Sequence, residues 1–280
     1  MEELKKIGII FPALNDFLQL KSPPPPFVRR YFFADSCCNF EDPEKLRKVE
    51  GKYLKITGHY LQSYKYFHKY RNEIRKILEC GPIIKQRINN FANNMFKNDT
   101  NHKFCVHIRR GDFIDSDKLE SRKKFVNSAI IFAFDHLKEK LNLQNISIFF
   151  LGDDHDFLKK LKINEFGFET VYTPASLTRG EDMCLGINHC DSMLLTSSAS
   201  TFGWWMSYLM KSNSTIFYNS RIGKTGNHSK DIHDFDVFLP EWIKLTMKNQ
   251  IVVEEKKWWY QRWNQKSNAK HDEEFRIKKK

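Results

Sequence analysis

The chain has 280 residues, 41% of them apolar and 14% aromatic, with 46 Lys plus Arg against 34 Asp plus Glu for a formal charge of +12. So many bulky side chains exclude a disordered chain and describe a globular protein of one large or two modest domains. No run approaches the ~20 apolar residues of a membrane helix; residues 7–14 are too short, broken by Pro12 and without a signal-peptide cleavage site, so the sequence reads as neither membrane-spanning nor visibly secreted.

Residues 1–50 read as irregular, with the four prolines at 23–26 favouring polyproline II. Tyr60, Tyr64, Phe67, Ile74 and Leu78 suggest helix over 59–79, and Ile83, Ile84, Ile88, Phe91 and Met95 predict a second amphipathic helix over 83–97. From about residue 103 short apolar runs alternate with helical patterns. Strands are expected at 103–108, 146–151, 168–172, 192–196 and 215–218, and helices at 122–141, 156–161, 179–188 and 202–210. Such alternation demands parallel pairing with right-handed crossovers, an α/β doubly wound sheet whose apolar strands are covered on both faces. The last thirty residues read as a basic helical or frayed extension.

Six cysteines (37, 38, 80, 105, 184 and 190) leave disulfides and buried free thiols equally open. No CxxC pair supports zinc, and adjacent Cys37 and Cys38 would each need a distant partner. Four Asn-x-Ser/Thr acceptors, at Asn98, Asn145, Asn213 and Asn227, add a moderate signal for a secretory compartment. The positive charge admits a nucleic-acid face or a local site for a smaller anion. No RNA- or DNA-binding pattern accompanies the Lys256–Tyr260 and Arg276–Lys280 clusters, so a solvated tail is the preferred reading and no nucleic-acid partner is expected.

Ligands of an open parallel sheet bind beyond the carboxyl ends of its strands. One such end carries His107-Ile108-Arg109-Arg110-Gly111-Asp112-Phe113. Guanidinium forks match phosphate bidentately, Gly111 permits a turn, and Asp112 can brace an arginine or cap the next segment. An exposed basic turn is the bland alternative. A second end carries Ser197-Ser198-Ala199-Ser200-Thr201-Phe202-Gly203-Trp204-Trp205, where free N–H groups and hydroxyls at a helix start suit an anion, or serve as a plain cap. Together the two ends could hold a diphosphate without metal. At a third end, Gly152 to Asp156 contains a DxD triplet. Asp115/Asp117 and Asp234/Asp236 show how cheap that pattern is, and helix capping is the preferred reading for 153–156, with His155 on the surface.

These residues resemble a known family. The 107–113 segment is similar to the HxRRxD signature of α-1,2- and α-1,6-fucosyltransferases, and the surroundings look most like the α-1,2 group, glycosyltransferase family 11. Gly58 to Phe67 resembles its GYFQSxKYF segment, Phe150 to Asp154 its strand ending in two acids, and Glu181 to Leu185 with Cys190 its acidic-start helix. Ser200 to Leu209 is similar to STFGWWxxYL, and Leu239 to Ile243 to its closing PxxWI. The resemblance implies a GT-B-like fold, GDP-fucose as donor, a glycan ending in galactose as acceptor, no metal or other cofactor, inversion at the fucose carbon, and residence in the Golgi. It also implies that Arg109 and Arg110 pair the donor diphosphate, that Ser200, Thr201 and Phe202 meet the same phosphates, and that His107 positions the donor or the arginines. Asp112, Asp115 and Asp117 are the acids nearest in sequence for a general base.

The expected organisation is a partial, acceptor-side N-terminal domain over 1–100, a Rossmann-like GDP-fucose domain over 101–245 and the basic extension over 246–280. The family's opening strand and GxGNQ-type turn have no match in residues 1–50, so an incomplete N-terminal domain, with an internal start or missing upstream sequence, is expected. An inactive relative that binds GDP-sugar or glycan is the alternative.

Overall fold

The computed structural model describes residues 2–17, 23–34, 38–152, 154–173, 177–224 and 232–261. The first elements are α1 (Glu2–Ile10), α2 (Pro12–Phe17), β1 (Val28–Phe32), β2 (Tyr53–Thr57), α3 (Arg71–Ile77) and α4 (Pro82–Phe96). There follow β3 (His102–His107), α5 (Lys123–Lys140), β4 (Ile146–Leu151), α6 (His155–Leu158), β5 (Val171–Tyr172) and α7 (Arg179–His189). The chain continues through β6 (Ser192–Leu195), α8 (Thr201–Leu209), β7 (Thr215–Asn219), α9 (Asp234–Val237), β8 (Ile243–Lys248) and β9 (Ile251–Glu254). Two compact units form. One draws on residues 1–15, 77–224 and 242–256, the other on 16–76, 225–241 and 257–280, a division that follows packing rather than chain order.

The first unit is built on a seven-stranded sheet of order β5-β4-β3-β6-β7-β8-β9, parallel throughout except for the β8–β9 hairpin. From β3 the chain winds outward to β4 and β5, then returns to the other side of β3 with β6 and proceeds to β7. All six residues of β4 are buried, as two-face coverage requires. Helix α5 covers the sheet with Phe125, Val126, Ala129, Ile130, Ala133 and Leu137, a stripe with the helical period. Helix α7 begins with a capping box in which Thr178 and Glu181 exchange hydrogen bonds.

At the amino ends of β3 and β4, Asp99 accepts hydrogen bonds from Ser147 Oγ (2.7 Å) and Tyr172 OH (2.7 Å) and pairs with Lys103 Nζ (3.0 Å). Burial alone would raise the Asp99 carboxyl, but the Ser147, Tyr172, Lys103 and Asn101 N–H hydrogen bonds outweigh it and hold the pKa at about 2. The partner Tyr172 is pushed up to about 12 by burial and by Asp99. The stabilisation from Asp99 is complete above the ordinary carboxylate value and is lost as pH falls through about 2. Asp99→Asn should therefore lose about 2 kcal/mol at neutral pH and show a flatter denaturation midpoint between pH 5 and pH 2 than the parent.

Two disulfides cross this unit. Cys80 joins Cys184 of α7, with 6.1 Å between Cα atoms, and Cys105 in β3 joins Cys190 just after α7, with 5.8 Å. The expectation about Cys37 and Cys38 lies outside the described residues, since Cys37 is not among them. Among the described residues, no helix is long and apolar enough to cross a membrane.

The second unit holds a two-stranded parallel sheet of β1 and β2. Its interior is organised by the acids of one DxD triplet. Asp236 accepts from Phe40 N (2.9 Å) and pairs with Lys65, while Ser63 Oγ donates to the Asp236 carbonyl (2.7 Å). Asp234 accepts from the backbone N–H of Trp259 (2.6 Å) and Tyr260 (3.2 Å). The rings of His233, Trp258 and Tyr260 gather around Phe235.

Several expectations need correction. Residues 1–50 are not irregular throughout, since they contain α1, α2 and β1. The helix expected over 59–79 is two 3-10 turns followed by α3 alone, and β5 keeps only two of the five residues foreseen at 168–172. The segment after 245 is not a helical or frayed tail at its start. Ile243, Leu245 and Met247 alternate along β8, and Asn249 and Gln250, both at positive φ, turn the chain into β9. Nor is 256–260 simply solvated, because Trp258, Trp259 and Tyr260 are half-buried. The Arg276–Lys280 cluster lies outside the described residues.

Candidate functional site

The direction of winding reverses between β3 and β6, and the crevice beyond their carboxyl ends is the place where such sheets receive ligands. His107, the last residue of β3, is in register with Leu195, the last of β6. The two sequence segments singled out for phosphate chemistry therefore leave adjacent strands at the same edge.

Side chains lock these segments together. Arg109 N donates to Ser121 Oγ (2.8 Å), which lies 2.6 Å from Thr196 Oγ1, and Thr196 Oγ1 donates to the His107 carbonyl (2.7 Å). Since the Thr196 proton goes to His107, Ser121 donates to Thr196, and the chain of bonds runs one way from residue 109 back to residue 107. Ser121 N also donates to the Arg109 carbonyl (2.9 Å), closing the 109–121 loop at its base. Its far side crosses the end of β6, where Leu119 O accepts from Ser197 Oγ (2.6 Å). The loop then meets the segment after β7, through Leu119 N to Ile222 O (3.0 Å) and Lys224 N to Asp117 O (2.8 Å). Asn219 at the end of β7 donates from Nδ2 to the Thr196 carbonyl (3.2 Å) and accepts from Ser198.

Both arginines are held by protein groups. Arg109 pairs with Asp112 and lies over the Phe113 ring, its Cζ 5.1 Å from the centroid. Asp112 thus braces a guanidinium, as one sequence reading allowed. Arg110 donates from Nε to Asp154 (2.8 Å) and from Nη1 to the Ser121 carbonyl (2.8 Å), with Cζ 4.4 Å from the Phe157 centroid. A guanidinium has five N–H donors, so these contacts orient Arg110 and leave donor capacity over. Asp154 also caps α6 by accepting from Phe157 N (2.8 Å), and Asp156 pairs with Lys159 on the surface, so capping describes Asp154 while Asp153 lies outside the described residues.

Around α8 the geometry is close-packed. Ser200 is the N-cap and accepts from Gly203 N (3.3 Å), so its hydroxyl serves the helix, whereas Thr201 is exposed. The first N–H groups of a helix lack intrahelical acceptors, and those at 201–202 open beside the end of β3. The His107 ring stands 6.0 Å from the Phe202 ring, and a Cβ at Gly203 would come within 2.8 Å of His107 Nδ1. Only glycine fits there. Burial, with Arg109 adding to it, pushes the His107 pKa down to about 4, so the imidazole is neutral at physiological pH. Its Nδ1 is buried without a hydrogen-bond partner. A similar approach occurs at Gly152, where φ is +132° and a Cβ would meet the Ile108 carbonyl at 2.4 Å.

Sequence reasoning missed a second basic group at this edge. Arg221, two residues beyond β7, donates to the carbonyls of Gly223 (3.1 Å) and Lys224 (2.6 Å). Burial and then Arg122 lower its pKa, with Glu120 acting in the opposite direction. The rule that directed attention to the ends of β3 and β6 applies equally to β7 and would have found it. Ser121 and Thr196 gave no such signal, because isolated hydroxyl residues have no periodicity.

A family model described as Glycosyl transferase family 11 matches residues 9–246. A Caenorhabditis elegans protein named galactoside 2-alpha-L-fucosyltransferase is 29% identical over 266 residues, covering 86% of this chain and 65% of its own length. A second C. elegans protein of that name is 32% identical over 226 residues, covering 78% of this chain and 60% of its own. The chain spans less than two thirds of the length of these relatives. The match runs from the end of α1 into β8, taking in every strand on which the crevice is built and both segments that border it, and on that footing the chain belongs to glycosyl transferase family 11.

Proposed function

We propose that the protein is an inverting α-1,2-fucosyltransferase of GT-B-like architecture, transferring L-fucose from GDP-fucose to a terminal galactose of a glycan. The observation that carries this reading is the meeting of Arg109, Arg110 and the amino end of α8 at one switch point. In the reaction an acceptor hydroxyl oxygen bonds to the fucose anomeric carbon as the bond to GDP breaks on the opposite face. The hydroxyl proton passes to a base and the electron pair leaves with the diphosphate. Arg109 and Arg110 would stabilise that leaving charge, and the N–H groups of Thr201 and Phe202 would face the same phosphates. Ser200 holds the start of α8 in place, and neutral His107 packs beneath it. Asp112 positions Arg109, while Asp115 and Asp117 share the loop.

The two buried disulfides support an oxidising lumen, such as the Golgi, as the site of action. Calorimetry with GDP-fucose in the presence of chelator, followed by a transfer assay on a galactose-ended acceptor, tests the reading. Binding and transfer are both expected to survive chelation. Binding without transfer would favour an inactive GDP-sugar-binding relative, and activity that vanishes with chelator would bring back a role for the DxD acids.

A further inference from the structure

We propose that Asn98, Asn145 and Asn213 carry N-linked glycans, all placed at the amino-terminal edge of the sheet and away from the donor crevice. Each begins an Asn-x-Ser/Thr acceptor, and each is exposed. Asn98 lies in the turn from α4 to β3, Asn145 directly precedes β4, and Asn213 lies in the turn from α8 to β7. Strands β3, β4 and β7 point the same way, so residues that precede them share one edge, opposite the ends that bear Arg109 and the start of α8. The first two acceptors are neighbours there, since His102 N donates to Asn145 O (3.1 Å) and Ser147 Oγ to Asp99 (2.7 Å).

Cys80–Cys184 and Cys105–Cys190 give an independent reason to place this unit in an oxidising compartment, the one in which such glycans are added. In that step the Asn amide nitrogen bonds to the anomeric carbon of a lipid-pyrophosphate-linked oligosaccharide, the lipid pyrophosphate departs, and the amide loses a proton. The acceptor hydroxyl of Ser147 is fully buried and committed to Asp99 and Asn101. Transfer to Asn145 therefore precedes the pairing of β4. A fourth acceptor, Asn227, lies outside the described residues.

The inference rests on the luminal part of the proposed function and not on its donor. The test uses the full natural protein isolated from its source cells, released with peptide N-glycosidase in heavy-oxygen water, together with N98Q, N145Q and N213Q variants. Expected are heavy-oxygen Asp at all three positions, the loss of one glycan's mass in each variant, and GDP affinity unchanged on release. Unlabelled Asn at any of the three overturns its assignment, and a fall in GDP affinity on release overturns the placement opposite the crevice. A protein that is labelled at all three positions yet binds no GDP in either form supports the glycan sites and counts against the donor reading alone.

Discussion

Arg109→Ala and Arg110→Ala should each weaken GDP binding by roughly ten-fold or more, because each removes a charge-assisted hydrogen bond worth about 1.5–3 kcal/mol. The larger loss is expected at Arg110. Its side chain bridges Asp154 on the β4 side and the Ser121 carbonyl on the β3 side, and alanine would remove the guanidinium from both, leaving Asp154 with the Phe157 N–H. Arg110→Lys separates charge from geometry. It keeps the positive charge, but a single ammonium cannot reproduce the planar fork that reaches Nε and Nη1 partners while lying over Phe157. Affinity for Arg110→Lys should fall between the parent and Arg110→Ala. Calorimetry with GDP reads the effect, and denaturation midpoints on the same samples separate lost contacts from lost fold. Unchanged GDP affinity in both alanine variants would remove the phosphate site from this crevice.

The second large effect is expected at the Cys105–Cys190 bond. It closes a separation of 85 residues and joins the middle of β3 to the segment that leads into β6. Loop closure of that length contributes about 4.5 kcal/mol in the chain-entropy account. Replacing both cysteines by alanine should therefore lower the melting midpoint by on the order of 10 °C. Because β3 and β6 carry the two halves of the crevice, GDP binding in the variant should fail at a lower temperature than in the parent, tracking the melting curve. A midpoint that does not move, with or without reductant, would show that the bond constrains nothing in the unfolded chain.

The central sheet was legible because β3, β4, β6 and β7 are short continuous apolar runs between helical patterns, the pattern that two-face burial imposes. The candidate crevice was legible from the same reading, since strand ends at a switch point are few and two of them carry residues of the kind that suit phosphate. The outer strands were not legible in the same way. Lys248, Lys256 and Lys257 gave the segment after 245 the composition of a basic extension, although Ile243, Leu245 and Met247 keep the two-residue period into it. Proline at 12 and at 23–26 hid two short helices behind signals for irregular chain. The Asp234/Asp236 triplet of the second unit looks no different in sequence from the Asp115/Asp117 and Asp154/Asp156 triplets. The role of Asp234 and Asp236 as acceptors for backbone N–H groups from positions 40 and 259–260 depends on contacts distant in sequence, which no local pattern records.

The order of strands in the sheet also dictates when the crevice can come into being during synthesis. β3 can pair with β4 soon after both leave the ribosome, but its other neighbour, β6, arrives only after α7 has emerged. Arg109 and Arg110 are thus translated long before the helix start that shares their edge. A nascent chain halted ahead of α7 would own both guanidiniums but not the neighbouring strand end that completes the crevice.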